Sequence, residues 1–135
     1  MSDDAADKAK ALSLALKHFH RALIRAEIGD DPNLDNPYTQ LFALIGDPRF
    51  AWMGVVSRLI ARIDERLADK AKDAPDIASL LPLWHEEAAQ LLGDGAPEAD
   101  PFRLRHLAAL QNEPEVGLAT GRLRRLLAAH RPAVQ

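Results

Sequence analysis

An all-α fold is predicted for this 135-residue chain by three observations. Apolar residues recur at three- and four-residue steps, capping residues stand directly before prolines, and no stretch alternates with period two. The length suits one domain, residues 1–135, with fraying expected at 1–4 and 132–135. Hydrophobic residues make up 47 % of the chain and charged residues 27 %, which is enough to close a core without metal or disulfide support. The expected architecture is a single helical bundle of four longer helices with one or two short accessory helices.

The first helix is expected at about 4–28. Leu12, Leu16, Phe19, Leu23 and Ala26 share one face, and Gly29 marks the stop because glycine accepts the left-handed conformation past a helix end. Asp31-Pro32 reads as a turn. A short helix at about 37–45 starts at Asn36-Pro37 and stops at Gly46. A long one at about 48–71 starts at Asp47-Pro48 and carries Trp52, Val56, Leu59, Ile63 and Leu67 on one face. In each such start the cap oxygen accepts from an orphaned backbone N–H, while the proline has none to orphan.

The fourth helix, at about 76–92, carries Ile77, Leu81, Trp84, Ala88 and Leu91 and stops at Gly93. Pro82 should either kink it or mark its first turn, with Ser79 as the cap. A fifth, at about 101–111, starts at Asp100-Pro101. The last, at about 113–130, takes Asn112 and Glu115 as a capping box and carries a weaker stripe of Val116, Leu123 and Leu127. The short helices are expected to cover the ends or one side. The segment FAWMGVVSRLIARIDERL (Phe50 to Leu67) is expected to be the central element.

Composition narrows the function classes. The chain has no cysteine, which removes disulfides and thiolate chemistry. Its start, MSDDAADKAKA, is polar and acidic, unlike a secretory signal. No run approaches the ~20 apolar residues of a membrane span, so the default location is the cytoplasm. The net charge of −3 hides a gradient: the balance is zero over 1–62, −7 over 63–100 and +4 over 101–135. A nucleic-acid binder would show a dominant basic surface, and this gradient better suits contacts within the fold or across a dimer.

Two segments, DPRFAWMGVVSRLIARIDE (Asp47 to Glu65) and HLAALQNEPEV (His106 to Val116), carry a resemblance. Between about Phe19 and Leu127 the chain resembles a group of small bacterial all-α proteins with F-A-W-L, L-I-x-x-I-D-E and A-L-Q-x-x-P-x-V motifs. Met53 stands where that group has leucine. The resemblance implies a bacterial source and a helical fold, and it implies no activity.

Candidate metal ligands are His20, Glu27, Asp64 and His85. Each lies at the edge of an apolar stripe, so their flanks could converge on one cavity. The alternative is ordinary polar edging, and the Glu-x-x-His pairing of di-iron bundles is absent. His85-Glu86-Glu87 begins the zinc motif H-E-x-x-H, but position 89 is alanine. No nucleophile elbow or phosphate-binding glycine loop is present, so no catalytic residue is assigned, and no cofactor is called for. Phe19, Phe50, Trp52 and Trp84 read as core rather than as a ligand pocket.

Two features suggest an interaction surface. Arg58, Arg62 and Arg66 step every four residues away from the core stripe, either as a solvated face with ion pairs such as Arg62 to Glu65 or as a docking row. Gly117 and Gly121 make a small-residue step beside Leu118, where another backbone could approach. Leu14, Leu83 and Leu118 lie off their stripes and point to a second apolar surface. The expected role is therefore a cytoplasmic helical-bundle protein-interaction module whose partner is another protein or a second copy of this chain. The competing expectation is a metal- or small-molecule-binding bundle, enzymatic or not, built on the His and carboxylate set.

Overall fold

Prolines and their capping neighbours set most of the helix starts. A computed structural model describes residues 2–29, 31–34, 36–70, 75–93 and 101–130, and among them it contains six α-helices and no strand. These are α1 (Ser2–Ile28), α2 (Pro37–Gly46), α3 (Gly54–Ala68), α4 (Ile77–Leu91), α5 (Pro101–Asn112) and α6 (Pro114–His130). Two 3₁₀ segments, Pro32–Leu34 and Pro48–Met53, flank α2. No described helix is long and apolar enough to cross a membrane.

The organising element is α1. At 27 residues it spans about 40 Å. Leu12, Leu16, Phe19 and Leu23 are fully buried along its inner face, and α6, α3, α4 and α5 all pack against it. The Phe50 to Leu67 segment is one of these walls, so its expected central place belongs to α1.

That segment also divides in two. Asp47 accepts from the Arg49 backbone N–H at 2.9 Å and opens a 3₁₀ segment with Pro48 at its first position. The i, i+3 eclipse of 3₁₀ geometry sends Phe50 and Met53 together into the core. Only from Gly54 does the backbone relax into α3, which buries Val56, Leu59 and Ile63. The single long helix expected at 48–71 thus becomes two elements ending at Ala68, and 71 lies outside the described residues.

Other ends refine the expected caps. Asn36 caps α2 through Tyr38 N at 2.7 Å. Asp76, not Ser79, caps α4, so Pro82 sits inside a continuous helix. Asn112 is the last residue of α5, and the bond expected of it falls to Glu113, whose carboxylate lies 3.4 Å from Glu115 N. Gly29 and Gly93 take positive φ (53° and 98°) at the ends of α1 and α4, as the stop signals require, whereas Gly46 stays helical. Asp100 lies outside the described residues, while Pro101 does begin α5.

Candidate functional site

The length of α1 decides the fate of the candidate metal set. Glu27, near its C-terminal end, accepts from Trp52 Nε1 at 3.2 Å, and Arg49 Nε lies 3.8 Å from its carboxylate. Asp64 of α3 docks nearer the middle, accepting from Ser13 Oγ at 2.6 Å and pairing with Lys17 Nζ at 2.9 Å. Ser13 and Lys17 hold that carboxyl below its usual range against an opposing desolvation. His85 of α4 is buried close enough to Lys8 for that ammonium to depress its proton affinity. His20 is half-buried on α1, its proton affinity lowered by desolvation. Lys8 and Glu27 stand 19 residues apart, about 28 Å along the helix. The four side chains are therefore strung along α1, each with its own surroundings, and no group of three or more metal-ligating side chains gathers among the described residues.

Buried His85 and half-buried His130 form a pair between α4 and α6. His85 stacks on His130 of α6, ring centroids 6.1 Å apart, and His85 Nε2 and His130 Nδ1 are buried with no hydrogen-bond partner among the described residues. Burial comes first among the causes that lower the His85 pKa, then the His130 and Lys8 charges. Burial and the Lys8 charge would oppose a cation bound between the rings as well, and among the described residues no third ligand stands near.

His106 of α5 is fully buried, edge-on to Phe19 at 5.2 Å. Arg103 Nη1 lies 3.0 Å from its Nδ1, and Thr120 Oγ1 lies 3.0 Å from its Nε2. Arginine only donates, so Nδ1 accepts and Nε2 carries the proton that it donates to Thr120. That polarity is the reverse of a base activating a hydroxyl nucleophile. Burial, then Arg103 and Arg124, push the His106 pKa down to about 4. The pair is a neutral strut between α5 and α6.

The arginine row is largely engaged. Arg62 makes a two-pronged pair with Glu87 of α4 (3.0 and 2.9 Å) rather than with Glu65. Arg66 donates to the carbonyls of Pro75 and Asp69. Arg58 folds back over Gly54, where a Cβ would stand 2.7 Å from its Nη1. The small-residue step is open: nothing lies within 4 Å of a Cβ at Gly117, and at Gly121 only the Arg125 side chain does. Among the described residues no backbone from outside α6 approaches either glycine, and Leu118 beside them is exposed. Leu14 and Leu83 are exposed as well, on separate helices, which is ordinary for scattered leucines.

The strongest surface feature lies on α2. Tyr38, Leu41, Phe42 and Ile45 are between 54 and 76 % exposed. They occupy i, i+3, i+4 and i+7, within about 100° of helical arc. The opposite face, with Ala43 and Leu44, packs on the core, and Gln40 Nε2 donates to the Leu34 carbonyl at 2.7 Å. The helix has no buried residue and no charged one. Its periodicity stands plainly in PYTQLFALIG, and α2 lies along one side of the core with this stripe turned outward.

Grooves between helices differ in charge. One between α1 and α6, of about 320 Å³, is lined by Arg21, Arg25, Arg122, His18 and a single carboxylate, Glu115. Another between α3 and α4, about 430 Å³, has an apolar floor including Leu80, Leu83 and Trp84 under charges of both signs. Comparison of the chain with known protein families, curated proteins and solved structures finds no match.

Proposed function

We propose that this chain is a cytoplasmic helical-bundle protein-interaction module that pairs with a second copy of itself through α2. The exposed stripe Tyr38, Leu41, Phe42 and Ile45 carries this reading. A monomer in water gains nothing from presenting four large apolar side chains in one row, and such a patch marks a contact surface. By the usual size of these side chains the row exposes roughly 600 Å². Two copies face to face would remove about 1,200 Å² from water, the lower edge of what specific interfaces bury.

Charge favours a second copy over other occupants. α2 contains no charged residue, so a symmetric pair brings no like charges together and no ion loses its water. A membrane-surface helix would carry Lys or Arg on its polar face, and α2 has neither.

Sedimentation equilibrium at 10–300 μM, a range spanning common interface affinities, tests the reading. The wild-type chain is expected to sediment as a dimer and an Ile45→Asp variant as a monomer with unchanged helical circular dichroism. A wild-type monomer across the range would overturn it, as would a dimer that survives the substitution.

A further inference from the structure

The α1–α6 groove is set apart by its charge census. Its three guanidiniums less the Glu115 carboxylate leave a surplus of +2. Counted the same way, the α3–α4 groove holds Arg62 and Arg66 against Glu65, Asp69 and Glu87, a balance of −1. A groove by Trp52 holds Arg105 against Glu27 and balances to zero. The groove at Val55 holds Arg58 and Arg62 against Glu87, a balance of +1.

The surplus sits on particular groups. Glu115 takes both of its bonds from one nitrogen, Arg25 Nη1, at 3.2 and 3.1 Å, which leaves Nε and Nη2 of Arg25 free of that pair. Arg21 and Arg122 have no ion pair or side-chain hydrogen bond among the described residues, in contrast to Arg49, Arg62 and Arg66. The groove floor is made by Ala22 and Ala119, whose small side chains let the arginine stems stand as walls. Leu118, 66 % exposed, forms an apolar lip.

We infer that this groove binds a small phosphate monoester, its dianionic head held by Arg21, Arg122 and the free edge of Arg25, and its apolar body on Leu118. The match is one of charge and shape. A phosphate monoester carries about −1.5 to −2 at neutral pH, which answers a surplus of two. Guanidinium forks pair with phosphate oxygens two bonds at a time. The groove volume of about 320 Å³ lies at the small end of ligand sites. A monocarboxylate would leave one guanidinium charge unanswered.

The test is calorimetric titration with phenyl phosphate, inorganic phosphate and benzoate in about 0.15 M salt, where diffuse attraction beyond ~8 Å is screened. Phenyl phosphate is expected to bind at one site per chain, more tightly than inorganic phosphate and at least about ten-fold more tightly than benzoate, the worth of a lost charge-assisted hydrogen bond. Arg21→Gln and Arg122→Gln should each lower its affinity about ten-fold or more. Leu118→Ala should erase its advantage over inorganic phosphate. All three positions are exposed, so the folded state should persist, with unchanged circular dichroism as the check. Arg125→Gln, just outside the groove, should leave binding unchanged. Absence of saturable phenyl phosphate binding would overturn the inference, as would equal loss in the Arg125→Gln variant or equal binding of benzoate.

Discussion

α1 and α2 carry the same pattern and meet opposite fates. In α1, Leu12, Leu16, Phe19 and Leu23 repeat at helical spacing and are wholly buried. In α2, Tyr38, Leu41, Phe42 and Ile45 repeat at helical spacing and all stand in solvent. The difference lies in their neighbours. α1 is long enough to be walled by four other helices, whereas the main contacts of α2 are with the 3₁₀ segments that flank it. Periodicity identifies an apolar face; only tertiary structure says whether this chain covers it or leaves it for another molecule.

Truncating one aromatic on each helix should have very different costs. Phe19→Ala should cost about 4 kcal/mol, since a fully buried ring leaves both lost transfer energy and a cavity. Phe42→Ala should change the stability of the monomer by no more than about 0.5 kcal/mol. Urea denaturation of dilute protein measures both. Equal costs at the two positions would mean that α2 is buried by this chain after all.

A second contrast uses pH and falls on the α1 side. His106 packs against Phe19 and has a folded pKa of about 4 against an ordinary 6.5. The unfolded chain therefore binds the proton first, so stability is complete above 6.5 and is lost as pH falls from 6.5 toward 4. The loss from this group amounts to roughly 3 kcal/mol. The lowered pKa values of His85 and His20 act in the same direction. Urea midpoints should drop steadily over that window, and the His106 ring should keep its neutral chemical shift at pH 5. A His106 titration near 6.5 would remove this part of the account. The α2 stripe contains no carboxylate or histidine, so the proposed dimer contact should be pH-independent there.

Much of the fold was legible. Asn36, Asp47 and the glycines at 29 and 93 act where their chemistry places them, because caps and left-handed stops depend on local backbone alone. Less local features were not legible. The 3₁₀ segment at Pro48–Met53 seats Phe50 and Met53 together in the core, which helical spacing alone does not announce. The partner of Arg62 is Glu87 on another helix, and no spacing within α3 announces it. His106 was legible in principle, since it shares a face with Phe102 and Ala109, both buried. The metal set shows the opposite limit: the wheel puts its members beside apolar stripes, but position along a helix 27 residues long separates them among the described residues. α2 packs along one side, as a short accessory helix is expected to, through Ala43 and Leu44; that its other face stays exposed is set by tertiary neighbours and not by its own pattern.

The absence of cysteine permits the most direct measurement. The midpoint of the stripe falls between Leu41 and Phe42, which a two-fold pairing of α2 with its copy would bring closest to the symmetry axis. A single Phe42→Cys substitution should therefore oxidise to a disulfide-linked dimer at micromolar concentration, because the two Cα atoms can come within the ~7 Å that a disulfide bridges. Leu14→Cys, at an exposed leucine on α1 (55 %, against 72 % for Phe42), should remain a free thiol under the same conditions. Equal crosslinking at the two positions, or none at position 42, would contradict the account.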